Sequence, residues 1–159
     1  MKVLISDPIS ESGLIILEES NLEILYLPDA LIEEKISASK NVHGWIIRSG
    51  TDITDQIIKN SKNLQVIGRA GVGVDNIDIS TATRKGIVVM NTPDVNTISA
   101  AEHTLAMILT LSRNIAVGDS GLKEGKWNRH ELIGSELRNK TIGIIGMGKI
   151  GREVMTRCR

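Results

Sequence analysis

The first 91 residues alternate between short apolar segments and stretches with helical spacing, and this alternation restricts the possible folds more than any other feature. Five segments have the length and composition of β-strands: residues 3–5, 23–27, 44–48, 64–67 and 87–90. Helical spacing is found between them, over residues 11–19, 31–37, 55–61 and 77–85. This order predicts βαβ units and a parallel sheet. Because the strands are apolar throughout, we expect a sheet covered on both faces, in a doubly wound unit of flavodoxin type.

The pattern changes after residue 91. A loop over 91–96 leads to a long helix over 99–113, which is apolar on more than one face and is expected to be buried between two bodies. Ser99 and Glu102 have the spacing of a capping box at its start. Further on, the sequence predicts a short helix over 119–124, a strand over 141–145 and a helix over 149–157. We therefore expect one domain over residues 1–96 and the beginning of a second over 97–159.

Composition excludes several classes of function. The 19 basic and 19 acidic residues balance, so the chain has no surplus of charge for nucleic acid or an anionic membrane. No apolar run approaches the roughly 20 residues of a membrane helix, and the first residues do not resemble a signal peptide. The single cysteine, Cys158, and three dispersed histidines predict no disulfide and no metal site. A cytoplasmic protein acting on a small molecule is the expected class.

A glycine pattern follows the predicted strand over 141–145 and opens the predicted helix over 149–157. Gly146, Gly148 and Gly151 have the spacing of a dinucleotide-binding turn. The first glycine allows a tight turn, the second lets a pyrophosphate approach the backbone, and the third lets helix and strand pack closely. The alternative is a glycine-rich turn without a ligand. The acid that binds the ribose is expected roughly 20 residues further on, so these residues do not distinguish NAD from NADP.

Two arginines follow adjacent predicted strands. Arg48 and Arg69 end the third and fourth strands, and both are followed by glycine-containing loops. Ligands of open α/β sheets bind outside the carboxyl ends of the strands, and a guanidinium suits a carboxylate or phosphate. We therefore expect an anionic substrate there. The alternative is a pair of surface arginines neutralised by nearby acids such as Asp52 or Asp75.

No residue has the setting of a catalytic proton donor. Glu102 and His103 are adjacent on a helix, so their side chains point about 100° apart and cannot act as a pair. His103 is expected to be an ordinary helix residue. The sequence therefore predicts a binding site without the group that hydride chemistry requires.

Several ordered segments together resemble one enzyme family. They are Gly68-Arg69-Ala70-Gly71-Val72-Gly73-Val74-Asp75-Asn76-Ile77-Asp78, Arg84-Lys85-Gly86-Ile87, Met90-Asn91-Thr92-Pro93, Ser99-Ala100-Ala101-Glu102 and Gly125-Lys126-Trp127. These segments closely resemble the D-isomer-specific 2-hydroxyacid dehydrogenases, over essentially the whole chain. The resemblance implies NAD-dependent interconversion of a 2-hydroxy acid and its 2-keto acid, with 3-phosphoglycerate, the precursor of serine, as the expected substrate.

The resemblance also implies roles for individual residues. Arg48 and Arg69 would bind the substrate, assisted by the backbone near Ser49, Gly71 and Gly73. Val72 would contact the nicotinamide half of the cofactor, and the turn containing Gly146, Gly148, Lys149, Ile150 and Gly151 would bind its pyrophosphate. The helix over 99–113 and the loop through Trp127 would form the interface of a homodimer or a higher homo-oligomer.

The family's catalytic Arg, Glu and His lie in its second half, which this sequence does not reach, so the chain is expected to be a truncated, inactive part of such an enzyme. Two alternatives remain open at this point: a glyoxylate or hydroxypyruvate reductase, and an NAD-sensing transcriptional corepressor. An isolated chain of this length is also expected to aggregate or dimerise.

Overall fold

A computed structural model describes all of residues 1–159, which form two units, Met1–Val95 and Asn96–Arg159. The boundary expected from the sequence lies one residue later in the chain. The roles expected for the two units, substrate binding and nucleotide binding, stay predictions.

The first unit is built around a five-stranded parallel sheet. Its strands are β1 (Lys2–Ile5), β2 (Glu23–Tyr26), β3 (Gly44–Ile47), β4 (Val66–Arg69) and β5 (Val88–Asn91). Their spatial order is β2-β1-β3-β4-β5, and all neighbours are parallel. The connecting helices are α1 (Glu11–Glu18), α2 (Ile32–Ser39), α3 (Asp55–Asn60) and α4 (Ile79–Arg84). This is the flavodoxin-like order, so the predicted fold class is confirmed.

The register of the strands divides their side chains between two faces. Leu4, Trp45 and Ile67 are aligned across β1, β3 and β4, and each is at most 1% exposed. They share one apolar core with side chains of α2, α3 and α4. The hydrophobic core of the unit therefore lies on this face, under three helices.

The second face of the sheet is only partly covered. Leu17 of α1 lies against this face, beside a groove of about 360 Å³ that also includes Val3, Ile46 and Met90. At the β5 edge, Val88 and Met90 are 57% and 58% exposed. The expectation of a sheet covered on both faces is therefore wrong for the β5 side of this chain, because a single helix does not span five strands.

The second unit consists of helices and loops. Its helices are α5 (Thr97–Ser112), α6 (Ile115–Lys123) and α7 (Lys149–Arg157), with a 3₁₀ turn at Arg129–Leu132. Helix α5 packs against α6 and α7. The strand expected over 141–145 is absent, because a strand requires a hydrogen-bonded neighbour and no other extended segment pairs with these residues.

Helix α5 differs from its sequence-based description in two ways. The expected capping box is wrong: the helix begins after Asn96, so Ser99 is already inside it and donates to the Asn96 carbonyl at 3.3 Å. Glu102 instead lies 3.6 Å from the Arg157 guanidinium of α7. The helix is also not buried between two bodies, since only Ala101 is buried and Leu111 is 74% exposed. None of the helices in the chain combines the length and apolar composition needed to cross a bilayer.

Candidate functional site

The two arginines singled out in the sequence lie at neighbouring strand ends. Arg69 is the last residue of β4 and is paired in register with Ile47, the last residue of β3. Arg48 follows Ile47 directly and is exposed, whereas Arg69 is partly buried. The parallel order of β3 and β4 thus brings both arginines to the carboxyl edge of the sheet, where open α/β folds bind their ligands.

The guanidinium of Arg69 folds back over the loop that follows it. A Cβ placed on Gly71 would lie 1.9 Å from Arg69 Nη1, so this contact requires glycine at position 71. The Nε of Arg69 is buried and donates no hydrogen bond. Neither Arg69 nor Arg48 forms an ion pair, so the alternative of neutralisation by Asp52 or Asp75 is wrong. Two cations with unused donors therefore lie at this edge.

Backbone amides add to these donors. The loop after β3 includes Ser49 and Gly50, and the loop after β4 includes Val72 and Gly73. The N–H groups of these four residues donate no hydrogen bond within the chain. Arg48 Nη1 donates to the Pro8 carbonyl at 3.2 Å, and the other N–H groups of this guanidinium have no partner in the chain. Free amide and guanidinium N–H groups at one sheet edge are the donors that bind carboxylate and phosphate oxygens. Chemically, this edge is suited to a small anion.

Contacts from β5 hold the loop after β4 in place. Asn91 Nδ2 donates to the Val72 carbonyl at 2.8 Å, and the Thr92 amide donates to the Gly71 carbonyl at 3.0 Å. Farther along the loop, Gly73 closely approaches Asp75, since a Cβ on this glycine would lie 2.6 Å from Asp75 Oδ1. The conformation of this loop is therefore fixed by hydrogen bonds from residues 91 and 92 and by the close contacts that its glycines allow.

Two polar residues of this region were not identified from the sequence. Asp7, just after β1, and Asn76, in the loop after β4, both hydrogen-bond the loop after β3. Asn76 lies in the glycine-containing segment 68–78, where no local pattern indicates a contact with residues 48–51. A polar residue directly after a buried strand was the available signal for Asp7.

The glycine turn of the second unit has the geometry that its spacing predicts. Gly146 has a φ of +95°, a conformation that L-residues with side chains rarely adopt. A Cβ on Gly151 would lie 2.2 Å from the Gly146 carbonyl oxygen, so the turn and helix approach each other too closely for a side chain. A Cβ on Gly148 would meet nothing within 4 Å. The turn is formed, although the strand expected before it is not.

The first turn of α7 is open to a ligand. Gly148 is the N-cap and contributes no side-chain cap, and Met147 and Ile150 are 54% and 39% exposed. Lys149 is the first residue of the helix. The amides at the start of a helix are unsatisfied by the helix itself and carry partial positive charge. This turn is therefore chemically suited to a phosphate group.

The four groups whose pKa values are shifted lie outside both candidate sites. The backbone N–H of Thr81 holds the pKa of Asp78 below its ordinary value, where Asp78 caps α4. A hydrogen bond from Lys2 lowers the pKa of Glu23, and one from Lys59 lowers the pKa of Asp55. The hydrogen bond between Arg157 and Glu153 raises the pKa of Arg157. None of these groups belongs to the two arginine loops or the glycine turn.

Comparison with known proteins gives a consistent family match. The profile described as D-isomer specific 2-hydroxyacid dehydrogenase, catalytic domain, matches residues 3–157. A relative from Archaeoglobus fulgidus, named D-3-phosphoglycerate dehydrogenase, is 46% identical over all 159 residues of the chain and 30% of its own length. A human relative of the same name is 47% identical over 156 residues, which are 98% of the chain and 29% of the relative. The chain thus spans about 30% of the length of these relatives.

The solved structures give the same fold. The structure of an NAD-dependent formate dehydrogenase from Staphylococcus aureus, in complex with NAD, superimposes with a TM-score of 0.88 at 31% sequence identity. The match covers 99% of this chain and 53% of the other.

Proposed function

The chain belongs to the D-isomer specific 2-hydroxyacid dehydrogenase family, and from this membership we propose that it contributes to a cytoplasmic, NAD-dependent dehydrogenase that oxidises 3-phosphoglycerate to 3-phosphohydroxypyruvate, the first committed step of serine synthesis. Relatives named D-3-phosphoglycerate dehydrogenase support this choice of substrate. The single observation that carries the proposal is the pair of arginines at adjacent strand ends, both without an ion-pair partner.

The proposed substrate is anionic at both ends, and the first unit offers donors for such a molecule. Arg48 and Arg69 bind its carboxylate and phosphate, and the N–H groups of Ser49 and Gly73 supply further donors. The N–H of Gly71 already donates to the Arg69 carbonyl at 2.8 Å, so Gly71 acts by letting the guanidinium approach. Charge-assisted hydrogen bonds of this kind are stronger than neutral ones and select anionic ligands. A substrate with only one anionic end would leave one guanidinium unused.

The glycine turn of the second unit fits a dinucleotide. The positive φ of Gly146, the open space at Gly148 and the uncapped start of α7 are the features that a pyrophosphate site requires. Gly146, Gly148, Lys149, Ile150 and Gly151 would hold the pyrophosphate, and Val72 would contact the nicotinamide half. NAD, when bound, supplies the hydride acceptor; the residues of this chain bind and orient.

We also propose that the protein is a homodimer or a higher homo-oligomer formed through α5 and the loop through Trp127. Met107 and Leu111 lie four residues apart on one face of this helix and are 48% and 74% exposed. An exposed apolar helix face of this kind is typical of a subunit interface.

Steady-state kinetics on the native protein test the proposed function. NADH formation from 3-phosphoglycerate is expected, and Arg69→Ala is expected to raise KM for this substrate roughly 10- to 100-fold, since a hydrogen bond to a charged group contributes about 1.5–3 kcal/mol. Arg138→Ala removes an exposed arginine elsewhere and is the matched control. Preference for glyoxylate would identify a glyoxylate reductase instead, and absence of turnover with retained NAD binding would favour a corepressor-like sensor.

A further inference from the structure

The loop over residues 48–51, here called the Arg48 loop, is held from two sides by side chains of other segments. Asp7 follows β1 and Asn76 lies in the loop after β4, and each forms two hydrogen bonds to the Arg48 loop. Neither residue is among the proposed ligand-binding groups. The conformation of the Arg48 loop therefore depends on two residues outside the proposed binding groups.

Asp7 anchors the loop from inside the protein. Its side chain is buried, with Oδ2 accepting from the backbone N–H of Arg48 and Oδ1 accepting from the Thr51 hydroxyl at 2.8 Å. The hydrogen-bond network continues into the core. Thr51 Oγ1 is 3.0 Å from Ser6 Oγ, and Ser6 Oγ accepts from Trp45 Nε1 at 2.8 Å. Every member of this network is at most 4% exposed. Such fully satisfied buried networks rigidify the backbone they contact.

Asn76 anchors the same loop through its carbonyl groups. The Nδ2 of Asn76 donates to the carbonyl oxygens of Arg48, at 2.7 Å, and Thr51, at 2.6 Å. Both N–H bonds of the amide are thereby used, and its Oδ1 is buried without a partner. A side chain that leaves its own acceptor unsatisfied indicates that the two donated bonds determine its position. Between these carbonyls, the amides of Ser49 and Gly50 remain unpaired.

The loop has its carbonyl groups bonded and its amide groups free, which is an arrangement suited to binding an anion. The carbonyl oxygens at the two ends of the Arg48 loop, which would repel a negative ligand, are both bonded to Asn76. The donors between them are left for the ligand. A loop held in this arrangement before binding does not have to be ordered by the ligand, which lowers the free-energy cost of binding.

We propose that Asp7 and Asn76 are positioning residues of the anionic-substrate site, which act by holding the Arg48 loop in its binding conformation. This inference rests on the function proposed above. The two residues act through the loop and do not touch the substrate, so part of their effect is exerted through Arg48 and the rest through the amides of Ser49 and Gly50.

A double-mutant cycle tests this dependence. Asn76→Asp keeps the size of the side chain but replaces the donor of both bonds, and is expected to raise KM for 3-phosphoglycerate about tenfold or more while KM for NAD stays unchanged. In an Arg48→Ala background the same substitution is expected to raise KM by a clearly smaller factor, because the two residues act through the same loop. Effects of Asn76→Asp and Arg48→Ala that multiply, or equal increases in both KM values, would overturn the proposal.

Two further variants separate positioning from folding. Asn63→Asp makes the same chemical change at an exposed asparagine of the same unit and is expected to leave both KM values unchanged. Thr51→Val keeps the size of the side chain and removes the hydroxyl that donates to Asp7 and also contacts Ser6. It is expected to raise KM for 3-phosphoglycerate in the same direction, and if Asn76→Asp does not fold, an unchanged KM in Thr51→Val would overturn the proposal.

A binding measurement keeps this inference independent of the proposed reaction. Inorganic phosphate is titrated into the ¹⁵N-labelled native protein, and chemical-shift changes of the Ser49 and Gly50 amides are followed. Changes that weaken in Asn76→Asp would support the positioning role even if 3-phosphoglycerate is not the substrate. Equal shifts in both proteins would contradict it.

Discussion

The side chain of Arg69 lies over the Cα of Gly71. This conformation of the arginine is possible only because residue 71 has no side chain. The nearest atoms to a hypothetical Cβ at position 71 all belong to Arg69. Glycine is therefore needed here for the close approach of a guanidinium rather than for a positive φ. The requirement is local, and it links a conspicuous glycine pattern directly to the candidate substrate site.

Gly71→Ala should displace this guanidinium while the fold is retained. The atom 1.9 Å from the added Cβ is the end of a flexible side chain, which can swing away without moving the backbone. We expect KM for the anionic substrate to rise about tenfold, as for the loss of one charged hydrogen bond, with little change in Tm. Gly68→Ala is the matched control, because its Cβ would meet only Ile46, at 3.8 Å. An unchanged KM in Gly71→Ala would show that Arg69 does not act from this position.

At the scale of elements, the loop after β4 ends in a defined helix cap. Asp78 Oδ1 accepts from the Thr81 amide at 2.8 Å and from the Ser80 hydroxyl at 2.8 Å, at the start of α4. The Ile53–Ile77 bridge lies just before this cap and joins the loop to the segment leading into α3. The start of α4 thus also limits the movement of the loop that contains Asn76.

This cap predicts a pH dependence of stability. The Thr81 amide lowers the pKa of Asp78 in the folded state, so the ionised carboxylate stabilises the fold at pH values above the ordinary aspartate range. The contribution is lost as the pH falls through the lowered, folded-state pKa. We therefore expect wild type to have a higher Tm than Asp78→Asn at pH 7, with the difference shrinking as the pH falls below the ordinary aspartate pKa of about 3.9.

Thermal unfolding followed by circular dichroism over this pH range measures the effect. Asp52→Asn is the control, because the side chain of Asp52 is exposed and has no hydrogen-bond partner in the chain. A Tm difference for Asp78→Asn that is constant with pH would mean that the carboxylate charge does not contribute to the cap.

At the scale of the whole molecule, the two units differ in how much apolar surface they bury. The first unit has a continuous core beneath its sheet. In the second, Ala101 and Val154 are the buried apolar residues, whereas Leu111, Ile133 and Ile145 are 74%, 77% and 105% exposed. Exposed apolar area of this kind favours association with another surface.

We therefore expect the 159-residue chain to self-associate at micromolar concentration. Sedimentation velocity should show dimers or larger species, and the double substitution Met107→Gln with Leu111→Gln on one face of α5 should shift them toward monomer. Ile15→Gln with Ile16→Gln is a matched control on α1, where both residues are also exposed. A chain that sediments as a monomer throughout would contradict both this expectation and the proposed interface.

Strands and helices of the first unit followed from the sequence because their signals are local. Apolar runs, helical spacing and the residues that end them occur within a few positions of one another, and β1 to β5 formed where they were expected. The same reasoning located Arg48 and Arg69, since parallel strands bring their carboxyl ends to one edge. The turn at Gly146 was equally predictable, because its geometry depends on glycines only a few residues apart.

Tertiary structure decided what depends on distant partners. Residues 141–145 have a strand-like sequence, but a strand exists only beside another strand, and none is there. Ser99 and Glu102 have the spacing of a cap, yet the helix begins at Thr97 and Glu102 faces Arg157. Asp7 meets Arg48 across 41 positions and Asn76 meets Thr51 across 25, so neither contact leaves a periodic signal. Hydrogen bonds between distant segments form only after the chain has brought them together, and local patterns therefore do not reveal them.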